Sequence, residues 1–165
     1  MKNSKILGLL ALCALLFLAS VLKAHATDEQ TITDLEHKAA AATTLDEAMQ
    51  FYASGDEVAL FDVMGPLREF KGNKAIRDHF AELLKEYKEP KVDIIEIKVI
   101  SDGQLALARS VQHITGKGPD GKTVEETFRQ TDLWRKTDGQ WKIIDQHISI
   151  PVDMKTDKGD MASKM

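Results

Sequence analysis

The sequence predicts an α+β fold in which a curved antiparallel sheet wraps around three helices from the N-terminal half. Asp-Gly dipeptides recur eighteen residues apart, at Asp102-Gly103, Asp120-Gly121 and Asp138-Gly139. Because Asp-Gly between apolar-rich runs is typical of a hairpin turn, this spacing predicts a meander of long strands. Strands of roughly a dozen residues span about 40 Å, so the sheet must coil and something must fill its concave face. Helical periodicity earlier in the chain indicates that helices fill it.

The first 26 residues are typical of a secretory signal. Two lysines precede the apolar run Ile6–Leu22, and Ala24-His25-Ala26 provides a small-x-small cleavage site. An uncleaved membrane anchor is the alternative, but Lys23 interrupts the run and the cleavage site follows at once. We therefore expect cleavage before Thr27, a secreted or periplasmic location, and no stable membrane anchor afterwards.

Charge and cysteine content exclude several classes of function. The formal charge is −4, and loss of the leader removes three lysines and no acidic residue, which leaves −7. Such a balance argues against a nucleic-acid partner, which would need a basic face. Cys13 is the only cysteine and leaves with the leader, so no disulfide and no cysteine-bound metal is expected. No metal-ligand pattern or phosphate loop occurs, and we expect neither a metal nor a cofactor.

Three helices are predicted before the meander. Thr33-Asp-Leu-Glu36 and Thr44-Leu-Asp-Glu47 both match the capping box and predict two helix starts. The second helix is expected to end at Ser54-Gly55 and the third to begin near Gly72-Asn73, with Pro90 closing its segment. The alanine run Ala39–Ala42 could fuse the first two helices, a choice that the sequence leaves open. Two apolar faces follow the helical period: Leu45, Ala48, Met49, Tyr52 and Ala53, then Ile76, His79, Phe80, Leu83, Leu84 and Tyr87.

Five strands are predicted. Val58–Met64 is short, β-prone and stopped by Gly65-Pro66, which puts Asp62 late in the first strand. The meander is expected at Val92–Ile100, Leu105–Thr115, Lys122–Lys136 and Gln140–Ile150. A change of phase at Ile94-Ile95 predicts a β-bulge there. The domain would therefore span residues 27–151, and the polar tail 152–165 is expected to be disordered.

The order of these elements and three motifs resemble the nuclear-transport-factor-2-like superfamily. FDVMG (Phe61–Gly65), GNKAIRDHF (Gly72–Phe80) and LWRKTDGQWKIIDQHISIP (Leu133–Pro151) are similar to its SnoaL-like branch, which includes ketosteroid isomerase and the kinase association domain. The resemblance covers about residues 31–151. It implies the cone-shaped, cystatin-like version of the α+β fold, a cavity inside the cone, and often a homodimer.

The resemblance also implies roles for single residues. In the isomerase, an Asp at the position of Asp62 shuttles a proton, and a protonated Asp at the position of Asp132 donates a hydrogen bond to an oxyanion. The isomerase has a tyrosine on its first helix where this chain has Glu36-His37-Lys38, and His37 would be the substitute. The kinase association domain has arginines at the positions of Asp132 and Ile148, so its capture of carboxylates is not implied here.

Strand alternation places Phe128, Gln130, Asp132 and Trp134 on one face, which the resemblance directs at the cavity. If both aspartates lie there, they should be coupled, with one ionised at neutral pH. Simpler alternatives remain open: Asp62 as a turn residue, Asp132 on a solvated face, and Trp134 in the core. A predicted ligand site comprises Tyr52, His79, Phe80, Phe128, Gln130, Trp134 and Ile148.

The final hairpin carries two candidate apolar sets, one for each face. The first is Phe128, Trp134, Ile144, Ile148 and Ile150, and the second is Leu133, Trp141 and Ile143. One set must cover the helices, and we expect the other to form a homodimer contact. If Ile148 faces inward, His147 faces outward or into a subunit contact, and a different turn length would reverse this.

Two functions are expected from different classes. The first is an exported binding protein that holds a small apolar molecule in its cavity without turnover. The alternative is an isomerase- or cyclase-type enzyme in which Asp62 abstracts a proton next to a carbonyl and Asp132 stabilises the enolate.

Overall fold

The computed structural model describes residues 27–160, so the predicted leader and residues 161–165 lie outside the described part. Helix α1 occupies residues 27–40, α2 Leu45–Met49 and α3 Asn73–Glu86. Eight strands run in chain order: β1 Ala59–Phe61, β2 Phe70–Lys71, β3 Lys88–Ser101, β4 Leu105–Lys117, β5 Thr123–Thr137, β6 Gln140–Ser149, β7 Val152–Asp153 and β8 Lys158–Gly159. None of the helices described combines the length and apolar character needed to cross a membrane.

A curved, unclosed sheet of six strands in the order β2-β1-β6-β5-β4-β3 confirms the predicted α+β class. The meander β3–β6 is antiparallel throughout, as predicted from the turns. Strand β1 joins the far edge parallel to β6, with Ala59 opposite Asp145 and Phe61 opposite His147. The short strand β2, which was not predicted, pairs with β1. This topology places the end of β1 beside the end of β6, where the candidate site lies.

The three Asp-Gly dipeptides all lie between consecutive strands of the meander. Only Asp138-Gly139 forms a two-residue hairpin loop, and both residues have positive φ, at 51° and 77°, as in a type I′ turn. At Asp102-Gly103 the aspartate side chain accepts hydrogen bonds from the amides of Gln104 and Leu105, and Asp120-Gly121 lies in a longer loop. The Asp-Gly dipeptides therefore predicted the positions of the turns correctly but did not predict the lengths of the loops.

Apart from the register shift at the start of β3, between Lys88 and Lys91, two β-bulges shape the sheet. The predicted bulge in β3 is present as a register shift between Ile94 and Glu96. A second one, not predicted, leaves Ile144 without a partner in the β5–β6 ladder, because Leu133 pairs with Asp145 while Trp134 pairs with Ile143.

The second bulge corrects the assignment of faces in the final hairpin. Trp141 and Ile143 are buried before it, and Gln146 is buried after it, so the inward phase of β6 changes at Ile144. The concave face therefore combines members of both predicted sets, Trp134 and Ile148 with Trp141 and Ile143. His147 is exposed, as expected once Ile148 faces inward.

The helical predictions need two corrections. Residues 27–40 form one helix, so Thr33 lies inside it and its hydroxyl donates to the carbonyl of Glu29 instead of capping a start. The box at Thr44 and Glu47 is a true cap with both reciprocal hydrogen bonds. Helix α2 ends at Met49, well before Ser54-Gly55, because the backbone of Phe51 and Ala53 bonds to Ile143 in β6 instead of continuing a helix.

Helix α3 begins where it was predicted but Pro90 does not close its segment. Strand β3 already starts at Lys88, and Pro90 falls in a register shift between Lys88 and Lys91 beside Glu89, whose φ is 54°. A bulge at the end of an edge strand tolerates proline because no ladder hydrogen bond is lost. The helix packs on the core through Ile76 and Phe80.

The tail after Pro151 also differs from its prediction in the described part. Val152 and Asp153 pair with Lys158 and Gly159 in a small separate hairpin. The side chain of Asp153 accepts the backbone amide of Lys155, which orders the turn in spite of the low apolar content.

Candidate functional site

A cavity of about 260 Å³ lies between the concave face of the sheet and the helices. Its walls are mainly apolar, with the aromatic rings of Tyr52, Phe80, Tyr87 and Phe128. Alanines from α1 and α2 line one side of it and leave the space open. The polar lining residues are Glu36, Thr43, Thr44, Asp62, Gln112, Glu126, Thr127, Gln130 and Gln146. A mainly apolar cavity with few polar groups is the usual form of a small-molecule site.

Asp62 follows β1 directly and lies in the cavity wall. One carboxylate oxygen accepts the backbone N–H of Met64 at 3.0 Å, and the other lies 2.9 Å from Nε2 of His79. The ring of His79 stacks on Phe70, with the centroids 4.0 Å apart. A carboxylate only accepts hydrogen bonds, so opposite the carboxylate form of Asp62 it is Nε2 of His79 that donates. Both side chains are almost fully buried, 3% exposed for Asp62 and 9% for His79, so this pair is held in one geometry.

The loop after Asp62 depends on Gly65. Its φ is 149°, and a Cβ at this position would lie 2.8 Å from the ring of Phe70. Glycine therefore lets the chain turn closely around the ring that supports His79.

Asp132 is fully buried and lies at the centre of a hydrogen-bonded network. Its two oxygens accept from Nε2 of Gln130 at 2.6 Å and from Nε2 of Gln146 at 2.8 Å. The hydroxyl of Tyr52 donates to Oε1 of Gln146 at 2.8 Å, which fixes the orientation of that amide. Buried polar groups are stable only when they are paired, and both glutamine amides supply a donor to Asp132.

Glu36 is also a buried acid, and it lies next to Asp132. Burial, and then the charge of Asp132, raises the pKa of Glu36 to about 9. Burial raises the pKa of Asp132 less, to about 6, because hydrogen bonds from Gln130, Gln146 and Glu36 favour its ionised form. The indole N–H of Trp134 donates to Oε1 of Glu36 at 2.6 Å. At neutral pH the pair therefore holds one proton, on Glu36, which donates it towards Asp132.

The structure brings most of the predicted site residues to one cavity. Its lining includes Asp62 and five of the predicted ligand-site residues, Tyr52, Phe80, Phe128, Gln130 and Ile148. His79 lies behind Asp62 and does not line the cavity. Trp134 is fully buried in the core, where it contacts Glu36, and Asp132 lies behind the amides of Gln130 and Gln146.

Two predictions about the acids are wrong in detail. His37 is exposed, and Glu36 occupies the inward position that His37 was expected to take. The buried partner coupled to Asp132 is Glu36 instead of Asp62. One signal could have identified Glu36, since Ile32, Glu36 and Ala39 follow the helical period and Ile32 is an obvious core residue.

No group of three or more His, Cys, Asp or Glu side chains within residues 27–160 is arranged to hold a metal ion. The carboxyls that meet near the cavity are accounted for by hydrogen bonds to amides, an indole and an imidazole. The chemistry that these residues could support is hydrogen bonding, charge pairing and proton transfer.

Comparisons with known proteins agree with this fold. A nuclear-transport-factor-2-like protein of unknown function from Pseudomonas putida KT2440 is 25% identical, covers 85% of this chain and 98% of its own, and superposes with a TM-score of 0.73. A nuclear-transport-factor-2-like superfamily protein from Salmonella enterica serovar Typhimurium LT2 is 20% identical over 82% of this chain and 99% of its own, with a TM-score of 0.71.

A third solved structure, a ketosteroid isomerase-like protein from Erwinia carotovora atroseptica SCRI1043, is 17% identical over 65% of this chain and 81% of its own, with a TM-score of 0.54. At such identities these likenesses support the fold and leave the reaction open. No curated protein matches the sequence significantly. The model of the SnoaL-like domain matches residues 30–153, most of the chain, and the chain belongs to that family.

Proposed function

We propose that this SnoaL-like domain binds a small, predominantly apolar molecule in the cavity between its sheet and its helices. The observation that carries the proposal is the lining itself, four aromatic rings and many aliphatic side chains around about 260 Å³. Removing an apolar ligand from water into such a space is favourable by about 25 cal/mol for each Å² of buried area. The polar groups at Asp62 and Glu36 would orient the ligand within the apolar walls.

The alanines of α1, of α2 and of the connection between them support this proposal. Ala39, Ala40, Ala42 and Ala48 all line the cavity, and each contributes only a methyl group. Larger apolar residues at these positions would bury more surface and fill the space, as is usual in a closed core. The sequence thus keeps a space open where packing alone would favour filling it.

We expect Ala40→Leu to weaken binding of a neutral apolar probe, 4-phenylbutanol, by about tenfold or more, because the new side chain would enter the cavity. The matched control is Ala41→Leu, one residue further along, which is exposed and absent from the lining. Isothermal titration calorimetry measures both affinities, and circular dichroism checks that both variants fold. Equal affinity in the two variants would show that the cavity is not the binding site.

Acid–base catalysis is the second candidate, and the position of Asp62 favours it. A carboxylate fixed by His79 and the amide of Met64 on the wall of an apolar cavity is placed as a general base for a proton next to a carbonyl. In this reading the oxyanion donor is Glu36 instead of Asp132, because Glu36 lines the cavity and holds the shared proton, and its O–H would turn from Asp132 to the oxyanion.

Proton abstraction can be measured without knowing the natural substrate. In heavy water, the protein is expected to accelerate deuterium exchange at the carbons beside the carbonyl of 4-phenyl-2-butanone, followed by NMR. Asp62→Asn should remove the acceleration by roughly a hundredfold, the low end of what a general base contributes. Asp78→Asn, on the exposed side of α3, is the control. Equal exchange rates for the parent and Asp62→Asn would overturn the catalytic function, and only the binding function would remain.

Export and self-association stay predictions. The leader lies outside the described residues, and cleavage before Thr27 is supported by its sequence alone. Trp141 and Ile143 are buried, so Leu133 is the member of the second predicted set that remains on the outer face. Its partner there is Leu107, and the next pair on that face is Arg109 with Thr131. A homodimer contact on this face would therefore be of mixed polarity.

A further inference from the structure

Of the Asp, Glu, Lys, Arg and His side chains, those that line the cavity in the described part of the chain are all acidic. They are Glu36, Asp62 and Glu126, and within residues 27–160 the lining contains no lysine, arginine or histidine. The ionised carboxyl of Asp132 lies directly behind Glu36 and adds negative potential from the same side. An anionic ligand would therefore meet acceptors and repulsion, whereas a cation would meet a counter-ion.

Asp62 retains capacity to accept another hydrogen bond. A carboxylate offers about four lone-pair sites, and the structure uses two of them, for the amide of Met64 and for His79. The hydrogen bond from Nε2 of His79 occupies only one lone pair, and the free lone pairs of both oxygens can direct the negative charge of the carboxylate towards a ligand. Because the side chain is only 3% exposed, that charge has little water to stabilise it and would gain from a ligand cation.

Aromatic rings line the same cavity as this carboxylate. Tyr52 and Phe80 line the cavity with their ring centroids 5.7 Å apart in an edge-to-face arrangement. Burial is the main cause that raises the pKa of the Tyr52 hydroxyl, followed by Asp132 and Glu36, and the charge of Asp62 makes the smallest contribution. Ring faces beside a carboxylate attract ammonium groups through cation–π interaction and can hold the adjoining carbon chain.

Resting on the proposed binding function, we propose that the ligand is an apolar amine, whose ammonium group pairs with Asp62 while its hydrocarbon body fills the apolar part of the cavity. Charge selects the amine over an acid of the same shape, since none of the described residues that line the cavity is basic. The buried carboxylate selects it over an alcohol, since a paired charge at that position is worth more than a neutral hydrogen bond. Asp62 is then the residue that determines specificity.

Three probes with one carbon skeleton test the proposal: 4-phenylbutylamine, 4-phenylbutanol and 4-phenylbutyrate, titrated calorimetrically at pH 7 and low salt. The parent is expected to bind the amine at least tenfold more tightly than the alcohol and to bind the carboxylate most weakly. Asp62→Asn, which keeps the shape and removes the charge, should bring the amine to the affinity of the alcohol. Glu125→Gln changes the net charge equally outside the cavity lining and should preserve the preference.

The outcomes separate this inference from the function on which it rests. Equal binding of the alcohol and the amine by the parent, or tightest binding of 4-phenylbutyrate, would overturn the assignment of an amine and leave the apolar site intact. Failure of all three probes to bind would overturn both. These results come from the parent alone, so they hold even if Asp62→Asn does not fold.

Discussion

The parent is expected to lose stability as the pH rises from 5 to 9, and the substitution Glu36→Gln is expected to abolish most of that loss. The pKa of Glu36 is raised to about 9 in the folded protein, well above its ordinary value of 4.5. A group with a raised folded pKa contributes stability that is complete below its unfolded pKa and is lost as the pH rises through the folded value. Each unit of difference is worth about 1.4 kcal/mol, so the parent should lose several kcal/mol.

Glutamine suits this position because it reproduces both contacts without a titrating proton. Its carbonyl can accept the indole N–H of Trp134, and its amide can donate to Asp132. The variant should therefore be more stable than the parent at pH 9. Asp132 still titrates, and because its pKa is raised from 3.8 to about 6, a smaller loss of stability is expected as the pH rises through that range.

Urea midpoints followed by tryptophan fluorescence, at each pH unit from 5 to 9, measure this effect. Glu86→Gln, an exposed carboxyl at the end of α3, is the matched control, and its curve should follow that of the parent. Parallel curves for the parent and Glu36→Gln over the whole range would show that Glu36 is not the buried neutral acid.

Asp132→Ala is expected to destabilise the fold by about 3 kcal/mol or more, whereas Asp132→Asn should cost less than about 1 kcal/mol. Alanine removes the acceptor on which the amides of Gln130 and Gln146 and the proton of Glu36 converge. Each buried donor left without a partner costs about 1–3 kcal/mol. The cost arises from the groups that remain more than from the one that is removed.

The Asp132→Asn variant can be accommodated because one of the two glutamine amides is free to turn. Gln146 cannot turn, since its carbonyl accepts the hydroxyl of Tyr52, so it must keep donating to the side-chain carbonyl of the new asparagine. Gln130 lines the cavity and can rotate its amide to accept from the new N–H. Denaturant midpoints at pH 7 compare the two variants with the parent. Equal losses of stability for the alanine and asparagine variants would mean that the hydrogen bonds of the network do not contribute to stability.

Local chemistry predicted much of the framework correctly. The Asp-Gly dipeptides located all three turns of the meander, because residues with positive φ are needed where antiparallel strands reverse. The capping box at Thr44 located the start of α2, and the change of phase at Ile94 located a bulge. These signals depend on a few neighbouring residues, so the tertiary structure had little opportunity to override them.

Features that depend on distant partners were predicted less well. Helix α2 stops at Met49 because the backbone of Phe51 and Ala53 finds its hydrogen bonds on Ile143, which lies far along the chain in β6. The capping-box pattern at Thr33 is identical in kind to that at Thr44, yet it lies within a continuous helix. A local pattern cannot show whether a backbone group has a better partner elsewhere.

The sequence by itself determined the α+β class, the meander and the position of Asp62 at the end of the first strand, since hydrophobic period and turn residues act locally. The tertiary structure alone decided which acids meet. The bulge at Ile144 sets which residues of β6 face the cavity, and the rotation of α1 turns Glu36 inward and His37 outward. A shift of one residue in a strand, or of one position on a helix, exchanges inside for outside, and only packing against the rest of the core selects between the two.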